Sequence, residues 1–275
     1  MQLVFKHKTL SLSTPAVMGI LNITPDSFYD GGKYSDEKSI LLQAEKMLLE
    51  GADILDIGAC STRPGADEVS EDEELNRLIP ALKLVRKKFG ETIISVDTFR
   101  SRIAHQAVNE GADIVNDISA GTMDERMFET VGKLRVPYVL THIKGTPQTM
   151  QNSPEYKDVV KEVKEFFKQR IGRMEGRGNG RLILDVGFGF GKTTEHNFYL
   201  LNHLAEFKEF ELPLLVGISR KGMIYKTLSI KPEDALNGTT TANTIALLNG
   251  ANILRVHDVR EAKEAIKIFN FTKIK

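Results

Sequence analysis

Glu50-Gly51-Ala52-Asp53-Ile54-Leu55 returns 60 residues later as Glu110-Gly111-Ala112-Asp113-Ile114-Val115, and again as Asn249-Gly250-Ala251-Asn252-Ile253-Leu254. Each copy reads as a helix stop feeding directly into a strand. Before the first copy, Ser35 to Glu50 carries Ile40, Leu41, Ala44, Met47 and Leu48 on one helical side, and Gly51 suits the left-handed position that other residues occupy only at a steric cost. Before the second, a helix over about Ser101 to Glu110 stops at Gly111 in the same way. The first two copies leave room for two strand–helix units, and such tight turns recur where parallel strands alternate with helices.

Working outward, short apolar runs rich in β-branched residues alternate with segments of helical period. The runs are Ala16–Leu21, Asp53–Ile57, Thr92–Val96, Asp113–Val115, Tyr138–Leu140, Leu182–Leu184, Pro213–Ile218 and Asn252–Val256, eight candidate strands. Near-continuous apolar strands are those buried on both faces, as parallel strands under helices are. Ser70-Glu71-Asp72-Glu73 fits a capping box ahead of Leu75, Leu78, Ile79, Leu82 and Val85. Eight strand–helix units favour an α/β (β/α)8 TIM barrel over a doubly wound sheet. The alternation of Leu3, Phe5, Leu10 and Leu12 predicts a short N-terminal β-hairpin over residues 1–13, and no linker divides residues 1–275, so one domain is expected.

Composition narrows the partners. Lys plus Arg (37) balances Asp plus Glu (37), which leaves no global field for nucleic acid or an anionic membrane. Cys60 is the only cysteine, so neither an internal disulfide nor a cysteine-clustered zinc site can form. The polar start and the lack of any stretch of about 18 apolar residues lead to the expectation of a soluble, cytoplasmic protein without membrane partners.

In this architecture chemistry gathers where the strands end. The positions there are Asn22, Asp56, Asp97, Asn116 with Asp117, His142, Asp185, Ser219-Arg220-Lys221, and Arg255 with His257. Any one polar strand end is ordinarily the start of a loop; eight on one rim form a pattern. Asp97, Asn116 and Asp185 suit a flat, donor-rich heterocycle, because a carboxylate accepts two parallel N–H bonds from an amino-pyrimidinone edge. Arg63, Lys221, Arg255 and His257 suit phosphates or a pyrophosphate. Residues 22–32 and 61–66 are dense in turn formers and read as candidate lids. Asp185 to Thr193 invites a P-loop reading, but Val186 stands where the first P-loop glycine is needed. The histidines form no HExxH pair, so a dedicated metal cage is not expected; one hard cation shared between Asn22 and a pyrophosphate is the magnesium pattern.

Gly19-Ile20-Leu21-Asn22-Ile23-Thr24-Pro25-Asp26-Ser27-Phe28, Ser61-Thr62-Arg63-Pro64-Gly65-Ala66, Ser95-Val96-Asp97-Thr98, Asn116-Asp117-Ile118, Gly187 to Lys192, Gly217-Ile218-Ser219-Arg220-Lys221 and Arg255-Val256-His257-Asp258-Val259 follow one another in order. From about Val17 to Val259 the sequence resembles the dihydropteroate synthase family. The resemblance implies a single pterin-binding (β/α)8 barrel, a homodimer, and a transferase (EC 2.5.1.15) of folate biosynthesis. That reaction joins 6-hydroxymethyl-7,8-dihydropterin diphosphate to p-aminobenzoate with magnesium and is the target of sulfonamides. Carried over by motif, Asp97, Asn116, Asp185, Lys221 and Arg255 would hold the pterin. Asn22 would bind Mg2+ and, with Thr62, Arg63, Arg255 and His257, the diphosphate. Phe28, Thr62, Pro64, Phe190, Ser219 and Lys221 would border the p-aminobenzoate pocket, and Asp30 and Arg63 would sit on the mobile loops.

Three positions depart from the family pattern: Cys60 replaces a Glu, Val186 a Pro, and Thr141-His142-Ile143-Lys144-Gly145 a Met-His-Met-Lys-Gly. Rival readings are a pterin-binding methyltransferase, a lysine Schiff-base aldolase using Lys221 or Lys144, and a pterin-binding paralogue without turnover. The cationic residues disfavour the first and third, since neither methyl transfer nor pterin binding alone needs a pyrophosphate site.

Overall fold

The computed structural model describes residues 1–6, 8–23, 33–60, 69–152, 154–176 and 181–273. Two short strands, β1 (Gln2–Val4) and β2 (Thr9–Ser11), pair antiparallel as the expected hairpin. The eight predicted runs are β3 (Ala16–Asn22), β4 (Ile54–Gly58), β5 (Ile93–Asp97), β6 (Ile114–Asp117), β7 (Tyr138–Thr141), β8 (Leu182–Asp185), β9 (Leu214–Val216) and β10 (Ile253–Val256). They form a closed parallel barrel in chain order, with β10 returning to β3.

Helices cover the outside: α1 (Lys33–Leu49), α2 (Glu71–Lys88), α3 (Ser101–Asn109), α4 (Met127–Leu134), α5 (Val159–Met174), α6 (Thr194–Asn202), α7 (Gly222–Leu228), α8 (Leu236–Leu248) and α9 (Val259–Phe271). Helix α1 begins two residues before the expected Ser35. Its Ile40, Ala44 and Met47 are buried. Ser70 caps α2 by accepting from the Glu73 backbone N–H, satisfying a donor the helix cannot pair internally.

The repeated motif does more than end helices. Asp53 Oδ2 accepts from the Val17 backbone N–H at 2.7 Å, and Asp113 Oδ2 from that of Ile94 at 2.9 Å. Asn252 Oδ1 accepts from that of Leu214 at 2.9 Å. The backbone N–H of each of the three residues returns a bond to the carbonyl of the same partner. Each copy thus fastens the start of one strand to its preceding neighbour, at the barrel end opposite the strand termini. Gly51, Gly111 and Gly250 all carry φ between +101° and +106°, so the turn in front of each clasp needs glycine.

The barrel interior is layered. Met18, Ile54, Ile93, Ile114, Val139, Ile183, Leu215 and Ile253, one from each barrel strand, pack in one cluster with Leu3, Phe5 and Leu12 of the hairpin segment. The hairpin therefore stoppers the barrel's amino-terminal end with apolar side chains. Successive side chains of a strand alternate in direction, so the next inward layer is reached two residues later, at Asp56, Ser95, Asn116, Asp185 and Arg255. Apolar filling gives way to charge within one layer.

Most strand boundaries shift by one or two residues from expectation, and the shifts at β4 and β9 bear on the site. β4 continues to Gly58, opposite Asp97, so Asp56 lies inside the barrel and not at a strand end. β9 is shorter than Pro213–Ile218, ending at Val216, so Gly217 to Lys221 form the loop that follows it.

Candidate active site

Arg255 dominates the carboxyl end of the barrel. Its Nε donates to Asp56 Oδ2 at 2.7 Å and its Nη2 to Asp97 Oδ2 at 2.6 Å, a fork that ties β10 to β4 and β5. Asn116 Nδ2 donates to the same Asp56 oxygen at 3.1 Å. Asp56 is wholly buried, and its Oδ1, like the neighbouring Ser95 Oγ, has no hydrogen-bond partner among the described residues. Sequence reasoning had placed Asp56 among the polar strand ends but gave it no role; the two-residue step inward from Ile54 is the signal that marks it.

The charges here are strongly perturbed. Burial raises Asp97 to about 7; Arg255 opposes this, while Asp56, Glu74 and Asp117 add to it. Burial likewise raises Asp185, against the pull of Lys221. Burial works against the charge of Arg255, but Asp56 and Asp97 hold it above the usual arginine range. Burial draws Lys221 down to about 8, with Arg255 assisting and Asp185 and Asp97 resisting. Perturbed titratable groups packed together in this way are commonly the working part of an enzyme.

Asp185 Oδ1 accepts from the Gly187 backbone N–H at 2.8 Å, which fixes the carboxylate at the mouth of β8. Lys221 Nζ donates to the Phe188 carbonyl at 2.6 Å and lies 4.6 Å from the Phe190 ring centre. Ser219 Oγ accepts from the His257 backbone N–H at 3.2 Å, joining the β9 and β10 exits. Two glycines keep the rim open. A Cβ on Gly58 would stand 3.6 Å from Asn22 Oδ1 and 3.9 Å from Asp97 Oδ2; one on Gly217 would stand 3.8 Å from Lys221 Nζ.

Of the residues selected from sequence, Asn22, Asp97, Asn116, Asp185, Phe190, Ser219, Lys221, Arg255 and His257 thus occupy the strand ends or the loops directly after them. Phe28, Asp30, Thr62, Arg63 and Pro64 lie outside the described residues. Arg220 turns away: its Nε and Nη2 grip both carboxylate oxygens of Asp258 at 2.9 and 2.8 Å, so the Ser-Arg-Lys segment brings one cation, Lys221, toward the rim. Asp117 is also structural, accepting from Ser119, Gly121 and Tyr138. Burial, with Glu74 beside it, pushes the Cys60 thiol up to about 12, which keeps it protonated and unreactive at neutral pH. Val186 is fully buried and packs in the core. Lys192, which ends the Gly187 to Lys192 motif but has no role assignable from the sequence, is buried behind the β8 loop.

A barrel with an acceptor-lined, cation-spanned mouth is an enzyme architecture for a polar heterocycle, and comparison with known proteins agrees. The model of the pterin binding enzyme family matches residues 18–257. The chain therefore belongs to the pterin-binding enzymes.

Within that family its relatives include dihydropteroate synthases. That of Escherichia coli K12 is 44% identical over 274 residues, covering 99% of this chain and 96% of the relative. The Yersinia pestis dihydropteroate synthase, solved with a sulfonamide drug, superposes with a TM-score of 0.93 at 43% identity, covering 99% of both chains. The Xanthomonas albilineans enzyme, solved with 4-aminobenzoic acid, also has a TM-score of 0.93, at 39% identity over 100% of this chain and 98% of that one.

Proposed function

We propose that the protein condenses 6-hydroxymethyl-7,8-dihydropterin diphosphate with p-aminobenzoate, giving 7,8-dihydropteroate and pyrophosphate. The observation that carries this reading is the set of acceptors formed by the half-buried Asp97 and the buried Asn116 and Asp185, crossed by Arg255. The carboxylates and the amide accept from the N–H edge of the pterin, and the guanidinium lies over its face. Phe190, Ser219 and Lys221 border the aminobenzoate, together with Phe28, Thr62 and Pro64. Thr62, Arg63, Arg255 and His257 hold the diphosphate, and Asp30 and Arg63 belong to loops that close over both substrates.

In the reaction the aniline nitrogen forms a bond to the pterin methylene carbon. The carbon–oxygen bond to the diphosphate breaks, its electron pair leaves with pyrophosphate, and the amine gives one proton to solvent. An aniline is neutral at pH 7, so no strong base is needed. The chain's contribution is to orient the two partners and to place fixed positive charge where the leaving group becomes more anionic.

Among the described residues no three His, Cys, Asp or Glu side chains form a metal cage. Asn22 offers one hard amide oxygen, 3.6 Å from where a Cβ on Gly58 would stand, a donor that fits Mg2+; held by Asn22, the ion would supply positive charge to the leaving pyrophosphate. The reading includes one barrel domain, a homodimer and a cytoplasmic location; among the described residues no helix is long and apolar enough to cross a membrane.

Purified protein with dihydropterin diphosphate and Mg2+ is expected to release pyrophosphate and form dihydropteroate when p-aminobenzoate is added, and to lose this activity when Mg2+ is chelated. Tight pterin diphosphate binding without product, in folded protein, would overturn the reading.

The perturbed charges also set a pH profile. Asp97 accepts N–H bonds best as the carboxylate, so kcat/KM is expected to rise with pH through about 7; Lys221 loses its charge through about 8, so kcat/KM then falls. The profile is a narrow bell. A flat profile from about pH 6 to 9 would show that these two groups do not govern turnover.

A further inference from the structure

We infer that Lys192 is a positioning residue for the aminobenzoate side of the site, acting through the loop of residues 187–191; this rests on the proposed placement of Phe190 and Lys221 at that pocket. Lys192 is 2% exposed, and burial draws its pKa well below the usual lysine range, with Asp185 opposing. Its amino group has three polar atoms within 3.1 Å. They are His142 Nδ1 at 2.8 Å, the Gly187 carbonyl at 2.9 Å and the Phe190 carbonyl at 3.1 Å. Burial together with Lys192 keeps His142 a neutral imidazole, which can share a hydrogen bond with the Lys192 amino group through Nδ1.

The carbonyls of this loop face two ways. Those of Gly187 and Phe190 point back to Lys192, whereas that of Phe188 accepts from Lys221. One loop is therefore held from behind by a buried lysine and presents, in front, a carbonyl and an aromatic ring to the lysine at the rim.

The loop's backbone packs closely against the His142–Lys144 backbone. Gly187 and Gly191 have φ of +70° and +64°. A Cβ on Gly187 would lie 1.9 Å from the His142 carbonyl oxygen, and one on Gly191 would lie 2.3 Å from that of Lys144. Tyr156 Oη donates to the Gly191 carbonyl at 2.8 Å, closing the outer side. Removing the amino group strands the Phe190 carbonyl and an imidazole nitrogen in a dry interior and leaves the Gly187 carbonyl with the Phe190 N–H alone, so the Phe190 end of the loop must shift to rehydrate them. Phe190 and the Phe188 carbonyl move with it, and Lys221 loses its anchor. Among the described residues Asp97 and Asn116 make no hydrogen bond to the loop, and the Asp185 backbone is held by the β8 ladder with only its Gly187 N–H bond at the loop's near end, so pterin binding is disturbed less than aminobenzoate binding.

The test uses the whole chain with Lys192→Met, which keeps the length and removes the donors, and His142→Leu, which removes one acceptor and leaves the two carbonyls. Wild-type dihydropteroate formation is measured alongside; its absence would sink the functional reading and not this inference. Lys192→Met is expected to raise KM for p-aminobenzoate by about tenfold or more, and His142→Leu by about threefold. Equilibrium binding of pterin diphosphate alone should change by less than about threefold in both. A residue that merely supports the fold would lower kcat per mole of protein with both KM values unchanged. That result, or equal weakening of both substrates, would overturn the inference. If Lys192→Met does not fold, the aminobenzoate KM of His142→Leu decides.

Discussion

Replacing Arg255 by alanine is expected to lower kcat/KM by about a thousandfold or more. The guanidinium joins Asp56 and Asp97, two carboxylates that are respectively 0% and 10% exposed at their side chains. Removing one partner of a buried ion pair commonly costs about 3–5 kcal/mol, because a buried charge is left uncompensated. Here two are left, and Asn116, which also leans on Asp56, loses a fixed neighbour. The loss reaches the site directly, since the same residue is proposed to cover the pterin and neutralise the diphosphate. Arg255→Lys separates the two effects. It retains a charge but cannot fork to two acceptors from one planar group, so it should fold better than alanine and still turn over poorly. Activity of Arg255→Ala near wild type in a steady-state assay would remove Arg255 from the mechanism.

Asp185→Asn should weaken pterin diphosphate binding by about a hundredfold or more. One carboxylate oxygen is used within the protein, taking the Gly187 N–H, so the other is the one open to a ligand. Hydrogen bonds to a charged group contribute about 1.5–3 kcal/mol each, and an amide at this position loses both the charge and one acceptor. Lys221 also loses the carboxylate that resists its loss of a proton. The alkaline limb of the pH profile should therefore move below that of the wild type. Isothermal titration with pterin diphosphate reads the first effect and the pH dependence of kcat/KM the second. Unchanged binding would show that the pterin edge is recognised elsewhere.

Both expectations depend on how a strand distributes its side chains. Ile253 and Arg255 sit two residues apart on β10 and point inward together, the first into the apolar stopper and the second into the charged mouth. The same step carries Ile54 to Asp56, Ile93 to Ser95, Ile114 to Asn116 and Ile183 to Asp185. A fixed period of this kind is readable from a linear chain, and so are the Gly-Ala-Asp and Gly-Ala-Asn clasps, because each is a local turn followed by a strand. The eight strands, the hairpin, the Ser70 cap and the residues at the β5, β6, β8 and β10 exits were accordingly legible before any coordinates.

What the linear chain determined, then, was everything governed by local period and turn chemistry: the elements, their order and the polar rim. Which rim residues meet was decided only by barrel closure. The Arg255–Asp56 and Arg255–Asp97 pairs join residues 199 and 158 positions apart. The β4 pairing that runs on to Gly58 moved Asp56 from a strand end into the interior. Arg220 reads in sequence as a cation equal to Lys221, yet Asp258 takes its guanidinium. Lys192 reads as the end of a glycine loop, and becomes a buried tether because His142 arrives from the neighbouring strand. Burial, and with it the displaced pKa values of Asp97 and Lys221, is a property of the packed neighbourhood: desolvation depends on atoms brought together from distant parts of the chain, which no local pattern records.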